Sequence, residues 1–465
     1  MTYIRPFWFD EALKHEGEPA VQPLQGDTTA DVCIVGGGYT GLWTALELKA
    51  RRPGLDIVVL EQKQCGYGAS GSNGGCVLTL STKFLSLSKF YGEAEARRLV
   101  RASEDAVGHL QSFTRENGIE CGLRCDGTLY IASNEAQVGT MKPVMQALDR
   151  AGINAWTRLP DAKAREFAGT ARIHEAFFSP HAGSVQPALL VRGLARVARA
   201  KGIRIYEGSP MRNLEEGSPP RVQTPGGSVT AGKVILAINA WMGTAFPRFE
   251  RTMAVVSSDM AVTGRIPDLL ERLGLRHGAT VCDSRIFVHY YRTTTDGRLM
   301  LGKGGNTFAY GSRMIPAFFE PSRVEHLLRN ALNGFFPDLA ATPIQQTWNG
   351  GSDRTRTGFP IFGRLNNHAD VFYGYGYSGN GVTQAVLGGR ILASLCLGED
   401  DEWSSCGFVG GPRGLFPPEP FRWVGANMVR NAIRRKEADE DAGRRPSRLD
   451  CRLARLAAAA GKADH

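Results

Sequence analysis

Residues 31–61 read DVCIVGGGYTGLWTALELKARRPGLDIVVLE. Asp31–Val35 is a short apolar run of the kind that forms a buried strand. Gly36 to Gly41 has no helix or strand preference and predicts a turn. From Leu42 to Ala50 the apolar residues fall at helical spacing, with Leu42, Ala45, Leu46 and the stem of Lys49 on one side. Pro53-Gly54 ends that helix, and Asp56–Leu60 predicts a second strand with Glu61 at its end. Strand, glycine turn, helix and strand make a βαβ unit. Its glycines follow Gly36-x-Gly38-x-x-Gly41, and an acid stands twenty residues later. Taken together this is a dinucleotide fingerprint. Gly36 permits the tight turn, Gly38 lets the backbone reach a pyrophosphate, and Gly41 lets helix and strand pack closely. The helix start offers free N–H groups and a partial positive charge to phosphates. Glu61 accepts hydrogen bonds from ribose hydroxyls. Tyr39 and Thr40 in the turn, and Gln62 beside the acid, are further candidate contacts.

The next question is which dinucleotide. A second glycine bed, GYGASGSNGG at residues 66–75, follows almost at once. A nicotinamide enzyme has no use for it there. It is either a surface linker or the bed of a ring system, with Gly68, Ala69, Ser70, Asn73, Gly74 and Gly75 beneath the ligand. Late in the chain, Asp370–Tyr373 predicts a strand. GYGYSGNG at 374–381 then opens an apolar helix, Val382–Leu397. Its start brings Gly376, Gly379, Asn380, Gly381, Val382 and Thr383 into play. A helix N-terminus aimed at a reduced flavin stabilises the negative charge that collects there. No second strand–GxGxxG–helix unit and no CxxC occurs, which excludes a pyridine-nucleotide disulfide reductase. These features select FAD.

The rest of the chain sets bounds. With 465 residues it is too long for a single core. Its composition, 42% hydrophobic and 22% charged, is that of an ordinary soluble protein. The net charge of +9 is fed by late runs such as Arg434-Arg435-Lys436 and Arg444-Arg445. They read as a solvated basic tail, and no aromatic ladder or zinc-knuckle spacing points to nucleic acid. Nine scattered cysteines without zinc-site spacing predict reduced thiols, no metal and a cytoplasmic location. The N-terminus lacks a signal-peptide pattern, and no apolar run is long enough for a membrane span. Residues 93–117 predict an amphipathic helix and 184–200 another helix. Gly127–Ala132, Ile203–Tyr206 and Lys233–Ile238 predict strands, as does each arm of 286–305 around the turn Thr295-Asp296-Gly297.

Four segments now carry a resemblance: VCIVGGGYTGLWTALELKA with Glu61, GYGASGSNGG, VILAINAW at 234–241, and YGYSGNGVTQAVLGGRILASLCLG at 375–398. The chain resembles the D-amino-acid-oxidase superfamily of FAD-dependent oxidoreductases. Its arm YIRPFWFD and its ASGSNGG loop are most similar to the γ-glutamylputrescine-oxidase-like amine oxidases. The resemblance implies an α/β fold: a Rossmann-type FAD-binding domain with an inserted α+β substrate domain on a mostly antiparallel sheet. It divides the chain into an N-terminal arm (1–27), a discontinuous FAD-binding domain (28–90, 180–245 and 345–400), a substrate domain (91–179 and 246–344) and a basic helical extension (401–465). It places Met211 beside the adenine and Ala237 and Asn239 near the cofactor. The implied reaction is hydride transfer from a C–H next to an amine nitrogen to flavin N5. The imine is then hydrolysed to an aldehyde or ketone, and oxygen or another acceptor takes the electrons, giving hydrogen peroxide in the case of oxygen. Residues 283–395 hold no cysteine, and the glycine bed carries Asn73 rather than histidine, so non-covalent FAD is expected.

On the substrate side, amino-acid-oxidising members of the superfamily carry an arginine in a W-x-G-x-R pattern, and its planar guanidinium holds the substrate carboxylate. Here the pattern runs from Trp348 to Ser352, so the arginine is missing. The gap favours an amine whose anionic group lies farther from the reacting carbon. Arg354 and Arg356 either hold that group or face water. His289, Tyr290, Tyr291 and Lys303 fall on strands expected to roof the flavin. There the tyrosines either cage an amine by cation–π attraction or pack a sheet. Lys303 either assists oxygen chemistry or is an exposed hairpin lysine, and Tyr377 is a further lining candidate; His289, Tyr291 and Lys303 are thus the catalytic candidates, and Tyr290, Trp348, Ser352, Arg354 and Tyr377 the substrate-binding ones. Two other functions remain open: an RNA-modifying flavoprotein, on the strength of the charge, and a dehydrogenase or partner subunit of sarcosine-oxidase type. In the latter, 425–436 would be a docking helix.

Overall fold

A computed structural model describes residues 4–464, and all side chains in that span except those of 367 and 458–460. Met1–Tyr3 of the N-terminal arm and His465 of the extension therefore lie outside the described residues. The described residues build two eight-stranded sheets and a two-stranded ribbon. In the first sheet Thr28–Val35 is central. It pairs in parallel with Ile57–Leu60 on one side and Gly227–Leu236 on the other. Arg204–Tyr206 and Val371–Tyr375 extend the parallel set, and Ile361–Arg364 closes it antiparallel. Val32–Val35 and Ile57–Leu60 are buried throughout. Helices cover both faces, so these strands carry continuous apolar runs instead of alternation. The two covering helices Tyr39–Arg51 and Gly381–Leu397 touch backbone to backbone. A Cβ on Gly389 would stand 2.7 Å from the Cβ of Trp43.

The second sheet runs Ile344–Thr355, Met253–Thr263, Leu299–Phe308, His289–Thr293, Thr280–Asp283, Thr128–Ala132, Glu175–Ser179, Thr157–Arg158. All its pairings are antiparallel except Thr280–Asp283 with Thr128–Ala132. This is the mixed α/β architecture expected of the sequence. The helix Glu93–Glu116 buries Leu99, Ser103, Val107 and Leu110, as its spacing predicts. Within the glycine bed the structure adds a single helical turn, Ala69–Ser72. Asn73 secures it: its amide donates to the carbonyls of Ala69 and Ser70, both at 3.0 Å, and accepts from Gly75 N–H at 2.7 Å.

The extension departs from the solvated tail that its charge suggests. The helix Phe421–Asp441 lies against the strand Leu299–Phe308 of the second sheet. Arg430 and Arg434 bond Asn306, Arg435 pairs with Asp450, and Glu437 accepts from Phe287 N–H. Acids interspersed among the basic residues give this charge internal partners. So 425–436 packs on its own chain. At its inner end a buried network forms. Arg285 donates to Asp283 at 2.5 Å and to Asp441 at 3.0 Å, and Asp283 also holds His289 at 3.1 Å. Burial alone would raise the Asp283 carboxyl, but Arg285 and His289 outweigh it and hold it well below the usual range. Removing Arg285 strands two carboxylates. Arg285→Ala is expected to cost about 3–5 kcal/mol, read as a lower urea midpoint, and to expose 421–441 to proteolysis.

Candidate active site

A cavity of about 380 Å³ opens between the two sheets, within the ~300–1,000 Å³ range of small-molecule sites. One end is built by the dinucleotide unit. Gly36, Gly38, Tyr39, Thr40, Glu61 and Gln62 line it, and at the start of the helix, behind the glycine N-cap Gly38, the Tyr39 N–H donates to Ser70 Oγ at 2.9 Å. The glycines are sterically required. A Cβ on Gly36 would meet Ala237 O at 2.4 Å, and one on Gly41 would meet Gly36 O at 2.0 Å. Glu61 is buried, and its two oxygens accept from Gly37 N–H at 2.8 Å and Lys63 N–H at 2.9 Å. Each oxygen keeps a second lone pair for a ribose hydroxyl. Burial pushes the carboxyl up to about 7. Met211, Ala237 and Asn239 complete this end.

The middle of the wall is the glycine bed, where Gly68, Ala69, Ser70, Asn73 and Gly74 line the cavity. Opposite them lie Gly379, Gly381 and Val382 at the uncapped start of the late helix. Tyr377 lines the same wall, and its hydroxyl accepts from Thr40 at 2.8 Å. Gly41, Gly75, Gly376, Asn380 and Thr383 do not reach the cavity wall. Gly41 and Gly75 serve close packing, with Val185 O at 2.0 Å from a Cβ on Gly75. Gly376 donates its N–H to Asp353, Asn380 reaches Thr79 O at 3.5 Å, and Thr383 is fully buried.

The second sheet supplies the far wall, and here the pleat decides. Tyr290 faces the cavity, its ring seated where a Cβ would stand on Gly74 (2.4 Å) or Gly302 (2.1 Å). Successive strand residues alternate faces, so His289 and Tyr291 point the other way. The Tyr291 hydroxyl bonds Ala168 O, and its ring packs against Phe335 and Phe336. Lys303 pairs with His289 in register and shares that face. Its ammonium lies 3.0 Å from His289 Nε2 and 3.8 Å from Glu437. Burial lowers Lys303, and burial together with Lys303 drives His289 down to about 3. The catalytic assignments of His289, Tyr291 and Lys303 are therefore corrected: all three sit behind the sheet, His289 and Lys303 in the network that docks the extension and Tyr291 against Phe335 and Phe336.

Trp348 also falls outside the cavity. Its indole donates to Ser72 O at 2.9 Å and meets Trp8 and Phe7 of the N-terminal arm, so it braces the glycine bed. Farther along that strand Ser352, Asp353 and Arg354 all line the cavity. The Ser352 hydroxyl is buried without a hydrogen-bond partner. Arg354 donates to Ser378 O, whereas Arg356 is exposed and bonds Leu415 O.

Sequence reasoning missed three residues. Asp353 is buried, accepts from Gly376 N–H and faces the Asn239 amide, and burial pushes its carboxyl up to about 7. Arg292 holds the bed by donating to Gly74 O at 2.7 Å. Its two-residue offset from Tyr290 is the signal that would have found it. Lys462 lines the cavity from the other end of the chain. Nothing in its local sequence marks it.

These features fit a dinucleotide: a helix start behind a glycine N-cap, glycines at 36 and 41 that leave no room for a side chain, and an acid at the strand end. The model of the FAD-dependent oxidoreductase family DAO matches residues 31–395. The chain belongs to this family. The enzyme is 34% identical over 411 residues to the γ-glutamylputrescine oxidoreductase of Escherichia coli K12, covering 87% of this chain and 92% of that protein. It is 28% identical to the probable oxidoreductase OrdL of Haemophilus influenzae, over 86% and 90%. In fold it is similar to glycine oxidase from Geobacillus kaustophilus, with a TM-score of 0.66 and 22% identity over 80% of this chain and 96% of that one. Iminodiacetate oxidase from Chelativorans sp. BNC1 gives 0.66 and 21% over 82% and 100%. This flavoenzyme uses FAD. Among the described residues no helix is long and apolar enough to cross a membrane, and no cluster suited to a metal ion occurs.

Two predictions follow from this geometry. Glu61→Ala removes the acceptor for the ribose and is expected to weaken FAD binding about ten- to hundredfold, at about 1.5–3 kcal/mol for a charged hydrogen bond, measured by flavin fluorescence on titrating apoprotein. The Asp353 carboxyl is raised from 3.8 to about 7. A raised acid stabilises the fold while it is neutral, and that contribution is lost as pH rises through the folded value. That contribution is full below pH 3.8, so the apoprotein should lose it between about pH 4 and 7.5, and Asp353→Asn should remove the Asp353 share of that loss while leaving the share of Glu61, as followed by urea midpoints across the range.

Proposed function

We propose that this enzyme oxidises the C–N bond of an amine that carries an anionic group remote from the reacting carbon. One observation carries the reading. Ser352 stands where an amino-acid oxidase would be expected to hold its carboxylate-binding arginine. Its hydroxyl is unpartnered, and the Arg354 guanidinium lines the same cavity two residues on. The substrate's anion would then be met farther along the wall. FAD, when bound, supplies the acceptor for the hydride released next to nitrogen. The chain's part is orientation. Tyr290 offers an aromatic face to the amine, the Ser352 hydroxyl is free to bond a polar substituent, and Arg354 attracts the anion. Burial lowers the Arg354 guanidinium, so an anion beside it is favoured. The acids in the cavity, Glu61 and Asp353, are both held by backbone N–H groups.

The names of the relatives, an oxidoreductase of glutamylputrescine and oxidases of glycine and iminodiacetate, support an amine or amino-acid donor. In this reading the imine product is hydrolysed, and oxygen takes the electrons as hydrogen peroxide. The cofactor is held without a covalent bond through the glycine bed, Glu61 and the two helix starts.

Anaerobic mixing of the yellow holoenzyme with primary and N-substituted amines, with and without a terminal carboxylate, tests the proposal. Bleaching is expected, fastest with the carboxylated amines; the absence of bleaching by any amine overturns it. Arg354→Gln should raise KM for a carboxylated amine about tenfold or more. Ser352→Arg should shift preference towards small α-amino acids, and a wild type that already prefers them contradicts the reading. Acid precipitation should leave all the flavin in the supernatant.

A further inference from the structure

Residues 461–464 do not trail into solvent. The Lys462 carbonyl accepts from Thr82 Oγ1 at 2.8 Å and from the Tyr130 hydroxyl at 3.4 Å. Asp464 N–H donates to Thr82 O at 2.8 Å. The Asp464 carboxylate accepts from Ser86 N–H at 2.8 Å and Ser86 Oγ at 2.5 Å, with the Lys83 ammonium at 3.5 Å. Gly461, Ala463 and Asp464 are buried, while Lys462 keeps partial exposure and lines the active-site cavity. Its ammonium lies 4.4 Å from the centroid of the Tyr290 ring. Among the described residues no carboxylate lies within ion-pair distance of it. The stretch 81–86, which follows the glycine bed, thus grips this segment on both sides of one side chain. That side chain is a cation presented to the substrate space.

We propose that residues 461–464 form part of the substrate wall, and that Lys462 is a specificity determinant that receives the carboxylate of the substrate together with Arg354. The inference rests on the amine-oxidation reading and names the second half of its anion site. Tyr290 is close to both cations: Lys462 lies over its ring, and its hydroxyl acts electrostatically on Arg354. Arg354 and Lys462 belong to segments more than a hundred residues apart, yet both face one cavity. A carboxylate between them exchanges Lys462's cation–π contact for a charge-assisted hydrogen bond, the stronger of the two. Asp464 is a positioning residue, acting through the backbone it fixes.

The test uses full-length holoenzyme as wild type, Lys462→Ala, Lys462→Arg and Asp464→Asn. Calorimetric titration with glutarate reads the anion site without turnover. Lys462→Ala should weaken glutarate binding at least tenfold, and Lys462→Arg should stay within about threefold of wild type. Asp464→Asn should weaken it less than Lys462→Ala does. The ratio of kcat/KM for 4-aminobutyrate over butylamine should fall at least tenfold in Lys462→Ala, through KM. Equal glutarate affinity in wild type and Lys462→Ala, or no glutarate binding by wild type, overturns the proposal. So does a rise in kcat/KM for both amines, which would make the segment an obstruction. If neither amine is oxidised but glutarate binding still depends on Lys462, the anion site stands and the amine-oxidation reading falls.

Discussion

The seat of Tyr290 is the contact on which the cavity depends. Its ring occupies the space that side chains on Gly74 and Gly302 would need, so it is gripped between the glycine bed and its own sheet. Two residues on, Arg292 donates to Gly74 O and Val185 O and covers the Trp8 ring at 4.9 Å. These interactions fix the spacing between the glycine bed and the second sheet. Packing at that density tolerates little displacement. The walls formed by Ser352–Arg354 and by Gly379–Val382 keep their positions because this seam is rigid. The N-terminal arm serves the same end from outside, with Trp8 meeting Trp348 at 5.6 Å and Trp348 bonding Ser72 O.

The dinucleotide unit was legible in the sequence because each of its requirements is local. A turn needs Gly36, a close approach needs Gly41, and a strand end needs Glu61, all within one supersecondary unit. The strands and helices around it were legible for the same reason. The second sheet was harder. Its hairpin was visible in 286–305, but sequence alone did not say which face of the pleat meets the ligand. His289, Tyr291 and Lys303 have the chemistry of a catalytic group and the wrong parity. Tyr290, flanked by them, has the right one. The discriminating cue was present in Gly302 and Gly304, whose missing side chains mark the face where another group approaches. The glycines, more than the polar residues, identified the ligand side.

The extension was misjudged for a different reason. Its composition is basic and polar, and charge runs of that kind are ordinarily solvated. Its partners are dispersed over the chain: Asn306, Asp283 through Arg285, and Thr82 and Ser86. No local pattern encodes contacts across 300 or more residues of sequence, as between Ser86 and Asp464. The same holds for Lys462, which is an unremarkable lysine until the fold brings it over Tyr290.

The separation of charge in the molecule then acquires a logic. Behind the second sheet, Arg285, Lys303 and Arg172 are balanced by Asp283, Glu437 and Asp441 around a neutral His289, in a network whose charges are spent on one another. In front of it, Asp353 is drawn towards its neutral form by burial, so it offsets the adjacent Arg354 less than an ionised acid would. Lys462 adds a second cation there. A sheet only one strand thick thus divides a neutralised interior from a cavity with net positive character. An amine with no second group gains nothing from that field. Under the proposed function, a substrate that brings its own negative charge would be attracted by it and, held at that end, would present its C–N bond at a fixed distance along the wall.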